Sequence, residues 1–227
     1  MGNTIIGNRR QFVRSVIPIA MAPFAPAAAE TRSFSLQSLD GLTLRRVKAE
    51  SVSYKGRKAV RMASEGDDNG FAMVAGTQFQ DGAIEIDLAG EPGPGAQSAA
   101  RGFVGLAFRM APDAAKFELL YLRPTNGRAD DQERRNHSTQ YDSFPDYPWF
   151  RLRKETPGKY ESYVDLVPGE WTKMKITTSG VTARLYVHGS EQPALVVNDL
   201  KLGPAKGAIA LWIGPGTVAH FSNLRVS

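Results

Sequence analysis

Turn-forming residues divide this chain into short segments from residue 34 onward, and that punctuation limits the folds available to it. Clusters of Gly, Pro, Asn and Asp at 65–70, 91–95, 124–127 and 156–158 separate runs rich in Val, Ile, Leu, Phe and Tyr. No uninterrupted window places apolar residues at i, i+3, i+4 and i+7 over three turns. The pattern therefore predicts an all-β chain with few helices.

The number of strand-like runs indicates two packed sheets. We expect residues 30–227 to form a single domain, a two-sheet antiparallel jelly-roll sandwich, and we expect it to be a monomer. A helix is compatible with the pattern only at 111–116. The predicted strands lie near 34–38, 42–48, 58–63, 71–75, 81–89, 102–111, 117–123, 138–142, 149–153, 160–166, 171–179, 181–188, 194–198, 207–213 and 218–226. The side chains predicted to be buried are Phe108, Leu120, Phe150, Leu152, Leu185, Ile209, Leu211 and Phe221.

Residues 1–29 have the features of an export signal. Three arginines precede an uncharged stretch at 15–29 that ends in three alanines, a suitable cleavage site. The pair Arg9 and Arg10, followed by hydrophobic residues, resembles the bacterial twin-arginine signal; an ordinary secretory signal or an uncleaved anchor is the alternative. The uncharged stretch is shorter than the ~20 residues of a membrane span. We therefore expect a periplasmic or secreted protein without a transmembrane segment in its mature part.

Charge and cysteine content exclude several function classes. Removal of residues 1–29 takes away three arginines and no acid, which lowers the formal net charge from +5 to +2. Nucleic-acid binding is not expected, because it needs a concentrated basic face. The absence of cysteine excludes disulfides and thiolate-bound metals. No cofactor is expected, although Asp130 and Asp131 leave Ca²⁺ binding open; the alternative is a solvated turn.

The segment 128–165 is rich in both charge and aromatic rings. Fifteen of its 38 residues are charged, and it holds seven of the chain's 21 aromatic residues. If 149–153 is a strand, Trp149, Arg151 and Arg153 share one face. An indole beside two guanidiniums can stack on a sugar ring and hydrogen-bond its hydroxyls, or hold an acidic group bidentately. The alternative is a solvated excursion that only covers a sheet edge.

Six motifs stand out between residues 79 and 226, at 81–86, 105–109, 117–123, 169–176, 183–187 and 221–226. They resemble strands of the concanavalin A-like lectin/glucanase superfamily, and more narrowly the bacterial exported domains called 3-keto-disaccharide hydrolase-type. The stretch 124–157 does not match that pattern. The resemblance implies the sandwich fold and a carbohydrate ligand more strongly than it implies a reaction.

The same resemblance implies a site on the concave sheet. It places Arg109 at the end of one strand, with Glu118, Tyr121 and Arg123 on the next. The alternative for Arg109 and Glu118 is a structural ion pair across neighbouring strands. On a regular strand Glu118 points opposite to Tyr121 and Arg123, so the four converge only with a bulge.

Two further patterns concern catalysis. Glu85, Asp87 and Glu91 resemble the acidic signature of family-16-type glucanases, but the last acid is displaced by one residue, and the alternative is a solvent-facing row on an alternating strand. No two histidines lie at metal-ligand spacing. His137 lies within the polar, aromatic segment, where it could act as a general acid or base.

Three function classes remain open. The first, which we favour, is an exported domain that binds a glycan or glycoside on its concave face. The second is a glycoside hydrolase or lyase with His137, Tyr141 and an acid, Glu118 or alternatively Glu161, as catalytic groups. The third is a structural or protein-interaction sandwich. The predicted ligand-contacting residues are Arg109, Tyr121, Arg123, Asn126, Asn136, Gln140, Trp149, Arg151, Arg153 and Glu161.

Overall fold

Two antiparallel sheets make up the computed structural model of this chain, which describes residues 1–3 and 31–227. The predicted all-β sandwich is confirmed. The predicted export signal lies outside the described residues except for its first three. Within the described ranges, no helix is long and apolar enough to cross a bilayer.

The described part of the chain contains fifteen strands and two short α-helices. The strands are β1 Arg32–Phe34, β2 Leu42–Arg45, β3 Val47–Tyr54, β4 Arg57–Ser64, β5 Gly70–Val74, β6 Gly82–Pro92, β7 Val104–Met110, β8 Phe117–Leu122, β9 Thr139–Phe144, β10 Glu161–Ser162, β11 Thr172–Ser179, β12 Thr182–Val187, β13 Leu195–Val197, β14 Ala208–Ile213 and β15 Thr217–Val226. The helices are α1 Gln132–Asn136 and α2 Trp149–Glu155, and a 3₁₀ turn spans Pro124–Asn126.

The strands form one sheet of eight and one of seven. The first has the order β13-β12-β11-β6-β15-β4-β3, with β1 also beside β15, and the second has the order β10-β9-β8-β7-β14-β5-β2. Side chains alternate as the sequence predicts: on β6, Ile84, Ile86 and Leu88 are buried, whereas Glu85 and Asp87 are half-buried.

The main core fills the space between the sheets, and a second apolar cluster lies on the opposite face of the seven-stranded sheet. On β8, Leu120 and Leu122 belong to the main core, whereas Leu119 and Tyr121 belong to the second cluster. We call the face that carries Tyr121 the outer face. Its polar continuation beyond β8 leads to the candidate site.

Two predictions about local structure are wrong. Residues 149–153 form part of α2 rather than a strand, and the helices occur at α1 and α2 rather than at 111–116, the one segment where the pattern allowed a helix. As a consequence Phe150 is 61% exposed rather than buried, while Leu152 and the other six residues predicted as buried are buried. A helix of two turns has too few residues for its 3.6-residue period to emerge from the sequence.

Candidate functional site

A pocket of about 290 Å³ opens where the loop before β7, the end of β8 and both helices meet. Its lining includes five of the residues predicted to contact a ligand or to act in catalysis. These are Arg123, Asn126, His137, Trp149 and Arg153. The structure therefore brings together five of the thirteen predicted site residues, from separate segments of the chain.

Helix α2 carries Trp149 and Arg153 to the pocket, because residues four apart lie on one face of a helix. The guanidinium of Arg153 lies 4.8 Å from the centre of the Trp149 ring, a cation–π contact that orients the indole. Leu152 packs into the core and anchors the helix. Trp149 remains 41% exposed, so an indole surface is available to a ligand.

Arg151 lies away from the pocket, which corrects the predicted grouping with its neighbours. Two residues along a helix correspond to a rotation of about 200°, whereas two along a strand return to the same face. The Arg151 guanidinium donates to the backbone oxygen of Asp146 at 2.7 Å and to the Glu155 carboxylate at 2.8 Å. Its hydrogen bonds therefore stabilise α2 locally.

Helix α1 positions His137 at its C-terminal end. The Asp131 carboxylate accepts a hydrogen bond from the backbone N–H of Arg134 at 2.8 Å and so caps the helix. Asn126 donates through Nδ2 to the backbone oxygen of His137 at 3.0 Å. Burial lowers the pKa of His137 although the Glu161 carboxylate opposes this, and neighbouring arginines lower it further. The imidazole is therefore neutral at pH 7 and can donate or accept one hydrogen bond.

Glu161 on β10 fixes two arginines of the pocket without lining it. Arg153 donates to the Glu161 carboxylate through Nε at 2.8 Å and through Nη2 at 2.6 Å, a bidentate arrangement. Arg123 Nη1 and His137 Nε2 each lie 3.5 Å from an oxygen of the same carboxylate. Because the Glu161 side chain is buried, its charge is committed to these cations.

Glu118 and Tyr141, predicted as catalytic, lie in the core between the sheets. Both are 0% exposed. Tyr141 donates from Oη to Glu118 Oε2 at 2.7 Å, and Glu118 Oε1 accepts from the backbone N–H of Leu202 at 2.8 Å. Burial raises the pKa of both groups. The structure separates this pair from the pocket, and a ligand could reach it only by opening the core.

Arg109 also lies away from the pocket, at the opposite end of β7. Six residues separate it from Phe103 in the pocket lining, roughly 20 Å along a strand. Its buried guanidinium donates to backbone oxygens of three loop residues, among them Gln80 at 2.8 Å. Its ion-pair partner is Asp81 at 3.2 Å rather than Glu118. The predicted grouping of Arg109 with the other ligand-contacting residues is therefore not observed.

Three other predicted ligand contacts also lie outside the pocket lining. Tyr121 is 2% exposed and its Oη accepts a hydrogen bond from Arg123 Nη2 at 2.9 Å, so it supports that arginine. Gln140 is 0% exposed and donates to a backbone oxygen at 2.8 Å. Asn136 is exposed and accepts from Gln132 at 2.8 Å.

The acidic row on β6 belongs to the other sheet and takes part in surface ion pairs. Glu85 lies 3.3 Å from Lys175, and Asp87 lies 2.9 Å from Arg57. This agrees with the solvent-facing interpretation of the row. Among the residues that the structure describes, no three acidic or histidine side chains group into a metal site. Asp131 caps α1, and Ca²⁺ binding stays an untested prediction.

No sequence pattern clearly indicated three of the lining residues, Arg101, Phe103 and Arg134. The first two stand at the end of the Gly- and Pro-rich loop 90–102, whose path no local pattern predicts. Arg134 lies in the charge-rich segment, where a cation more often faces only solvent.

A wider cavity of about 630 Å³ lies on the first sheet, but its aromatic and basic groups already have partners. Tyr54 and His220 stack on each other with ring centres 3.6 Å apart. Arg61 forms a 2.8 Å ion pair with Glu50. Because these rings and this guanidinium already have partners within the protein, we favour the pocket beside α2.

Comparison with known proteins identifies the fold. No protein-family model matches the chain, and no curated protein sequence matches it. The carbohydrate binding module CBM66 from Bacillus subtilis superposes with a TM-score of 0.59 at 16% identity, over 82% of this chain and 96% of that chain. A Bacillus subtilis protein of unknown function with a galectin-like fold gives 0.54 at 13% identity, over 86% and 94%. The exoplasmic/lumenal domain of VIP36, in a Ca²⁺/Man3GlcNAc-bound form, gives 0.53 at 9% identity, over 86% and 87%. At these identities the similarity shows a lectin-type, concanavalin A-like sandwich fold.

Proposed function

We propose that this protein binds a carbohydrate in the pocket between α1, α2 and the loop before β7, and that it acts as a recognition module rather than as an enzyme. The observation that carries the proposal is the Trp149 indole, which is 41% exposed in the pocket wall and oriented by Arg153. An exposed, oriented indole can stack on the apolar face of a sugar ring. The carbohydrate binding module and the oligosaccharide-bound domain among the similar folds support the ligand class.

The remaining lining supplies hydrogen bonds suited to hydroxyl groups. Arg123 and Asn126 present donors that contacts with the Tyr121 hydroxyl and a backbone oxygen hold in place, and His137 can donate or accept. The volume of about 290 Å³ lies at the lower end of the range for ligand pockets, which suits one sugar ring rather than a long chain. We propose a concave site on the outer face that holds a single ring of a glycan or glycoside.

The test is Trp149→Ala against the matched control Phe150→Ala. The exposed 41% of Trp149 corresponds to about 100 Å² of stacking surface, worth ~2.5 kcal/mol, or roughly 70-fold in affinity. We expect that loss for the best ligand of a glycan array, measured by titration calorimetry. Phe150 is 61% exposed outside the lining, and its variant should bind normally. Equal losses in both variants, or no loss in either, would contradict the proposal.

A hydrolase or lyase related to the exported 3-keto-disaccharide hydrolase-type domains is the second candidate, and the neutral His137 imidazole in the lining favours it. Against it, retaining and inverting hydrolases need two carboxyl groups at the bond, whereas no acidic residue lines this pocket. A reducing-end assay on the glycans that bind decides between the two. Turnover that disappears in His137→Ala while binding persists would establish the enzyme; binding without turnover supports recognition alone.

A further inference from the structure

The charges around the pocket are not balanced within the lining. Four arginines contribute to it, and no aspartate or glutamate does. Arg123 and Arg153 share the single carboxylate of Glu161, which lies outside the lining. Because two cations face one buried anion, Arg123 and Arg153 already carry an excess of positive charge. Arg101 and Arg134 add to that excess and complete the cluster of four arginines.

Arg101 and Arg134 complete the cluster, and neither forms an ion pair with any residue that the structure describes. The Arg101 guanidinium donates only to backbone oxygens, at 2.5 Å to Ser98 and at 3.0 Å to Ala100. Burial lowers the pKa of Arg101, and repulsion from Arg134 and Arg123 lowers it further. These guanidiniums are therefore close enough to repel one another, a cost that a bound anion would remove.

Two other acids near the cluster reduce the excess only partly. Asp142 is 2% exposed, and burial raises its pKa to about 7, so it carries only part of a charge near neutral pH. Glu133 lies on the exposed side of α1, where its effect on the pocket is screened by solvent. Asn126 adds a buried Oδ1 atom without a hydrogen-bond partner in the described structure.

We propose that the saccharide bound in this pocket is anionic, and that Arg101 and Arg134 hold its carboxylate or sulfate group while Trp149 stacks on the ring that carries it. This rests on the proposed carbohydrate-binding function. Carboxylate and sulfate share the chemistry that guanidinium recognises, namely oxygens that accept charge-assisted, often bidentate hydrogen bonds. A neutral sugar would leave the two guanidiniums without an anion.

The test compares matched pairs of saccharides by titration calorimetry at low and physiological salt. One pair is a uronic-acid oligosaccharide and its methyl ester; the other is a sulfated oligosaccharide and its desulfated backbone. We expect the charged member of one pair to bind roughly 10- to 100-fold more tightly, and the difference to shrink with salt. The pair that shows the preference identifies the acidic group. Inorganic sulfate is titrated alone, and binding as tight as that of the saccharides would overturn a saccharide ligand.

Substitutions then test whether Arg101 and Arg134 bind the acidic group. Arg101→Gln and Arg134→Gln should each reduce the preference for the charged member by about 10-fold or more. Arg128→Gln is the matched control, because it removes the same charge at an exposed pair with Asp165 outside the pocket. Equal affinity for charged and neutral members would overturn this inference while leaving carbohydrate binding intact. Absence of binding to every member would overturn the proposed function itself.

Discussion

Replacement of Tyr141 by Phe tests whether the buried Tyr141–Glu118 pair stabilises the fold rather than takes part in ligand chemistry. The substitution removes one oxygen that makes two hydrogen bonds: Oη donates to Glu118 Oε2 at 2.7 Å and accepts from the backbone N–H of Lys201 at 2.8 Å. A hydrogen bond to a buried charged group contributes about 1.5–3 kcal/mol to stability, and loss of the bond from the half-buried Lys201 amide costs about 1 kcal/mol more. We expect a loss of about 2–4 kcal/mol in the free energy of unfolding.

Urea denaturation followed by tryptophan fluorescence measures this loss, and a thermal scan should show the midpoint falling by roughly 5–15 °C. Tyr163→Phe is the matched control, because its exposed Oη accepts one hydrogen bond from Arg135 at 3.1 Å and its removal should cost less than about 0.5 kcal/mol. A cycle that adds Glu118→Gln should show a non-additive coupling, as expected for residues in direct contact.

A binding measurement then tests whether the Tyr141–Glu118 pair also takes part in function. Because both side chains are 0% exposed and lie outside the pocket lining, Tyr141→Phe should leave the affinity for the best array ligand unchanged below the unfolding temperature. A stability change under 0.5 kcal/mol would refute the structural reasoning. Lost binding or turnover in a variant of normal stability would return the pair to the catalytic set predicted from the sequence.

Three further predictions concern pH, packing and export. Burial lowers the pKa of His220 to about 4, so the unfolded chain takes up the proton first as pH falls below 6.5. Relative to the His220→Phe variant, the free energy of unfolding should therefore fall by about 3 kcal/mol between pH 7 and pH 4, measured by urea titration. A Cβ at Gly127 would lie 2.3 Å from the backbone nitrogen of Leu166, so Gly127→Ala should destabilise the fold by over 2 kcal/mol and weaken sugar binding; normal calorimetric values for both would contradict this. Replacing Arg9 and Arg10 with Lys should abolish export if the twin-arginine interpretation holds, whereas unchanged periplasmic yield would indicate the ordinary secretory route.

Much of the fold prediction rests on the alternation of side chains along strands, because that alternation depends on neighbouring residues alone. It placed Glu118 opposite to Tyr121, and the two belong to different faces of β8 in the structure. It could not place Arg109. That residue has a φ of +51°, and the pairing of β7 with β14 shifts register between Ala208 and Ala210, so its side chain is set by a bulge and by loops distant in sequence.

Composition indicated one part of the pocket wall, whereas the rest of the wall and the construction of the pocket were not predictable from it. The density of charge and aromatic rings at 128–165 marked the segment that supplies α1 and α2. Helix α2 begins after Pro148, and its position depends on packing against β9. Such a contact between separate elements leaves no periodic signal.

Trp149 and Arg153 were nevertheless grouped correctly, and the reason is numerical. A separation of four residues returns to the same face both on a strand of period 2 and on a helix of period 3.6, whereas a separation of two does so only on the strand. The wrong strand prediction therefore placed Arg151 in the site by mistake, but it still grouped Trp149 with Arg153. The indole and guanidinium depend on a helix of two turns anchored by Leu152, which is 2% exposed. The geometry of the pocket is thus tied to the interior through Leu152 and through the buried Glu161 carboxylate that holds Arg153, and not only through the exposed residues that would contact the ligand.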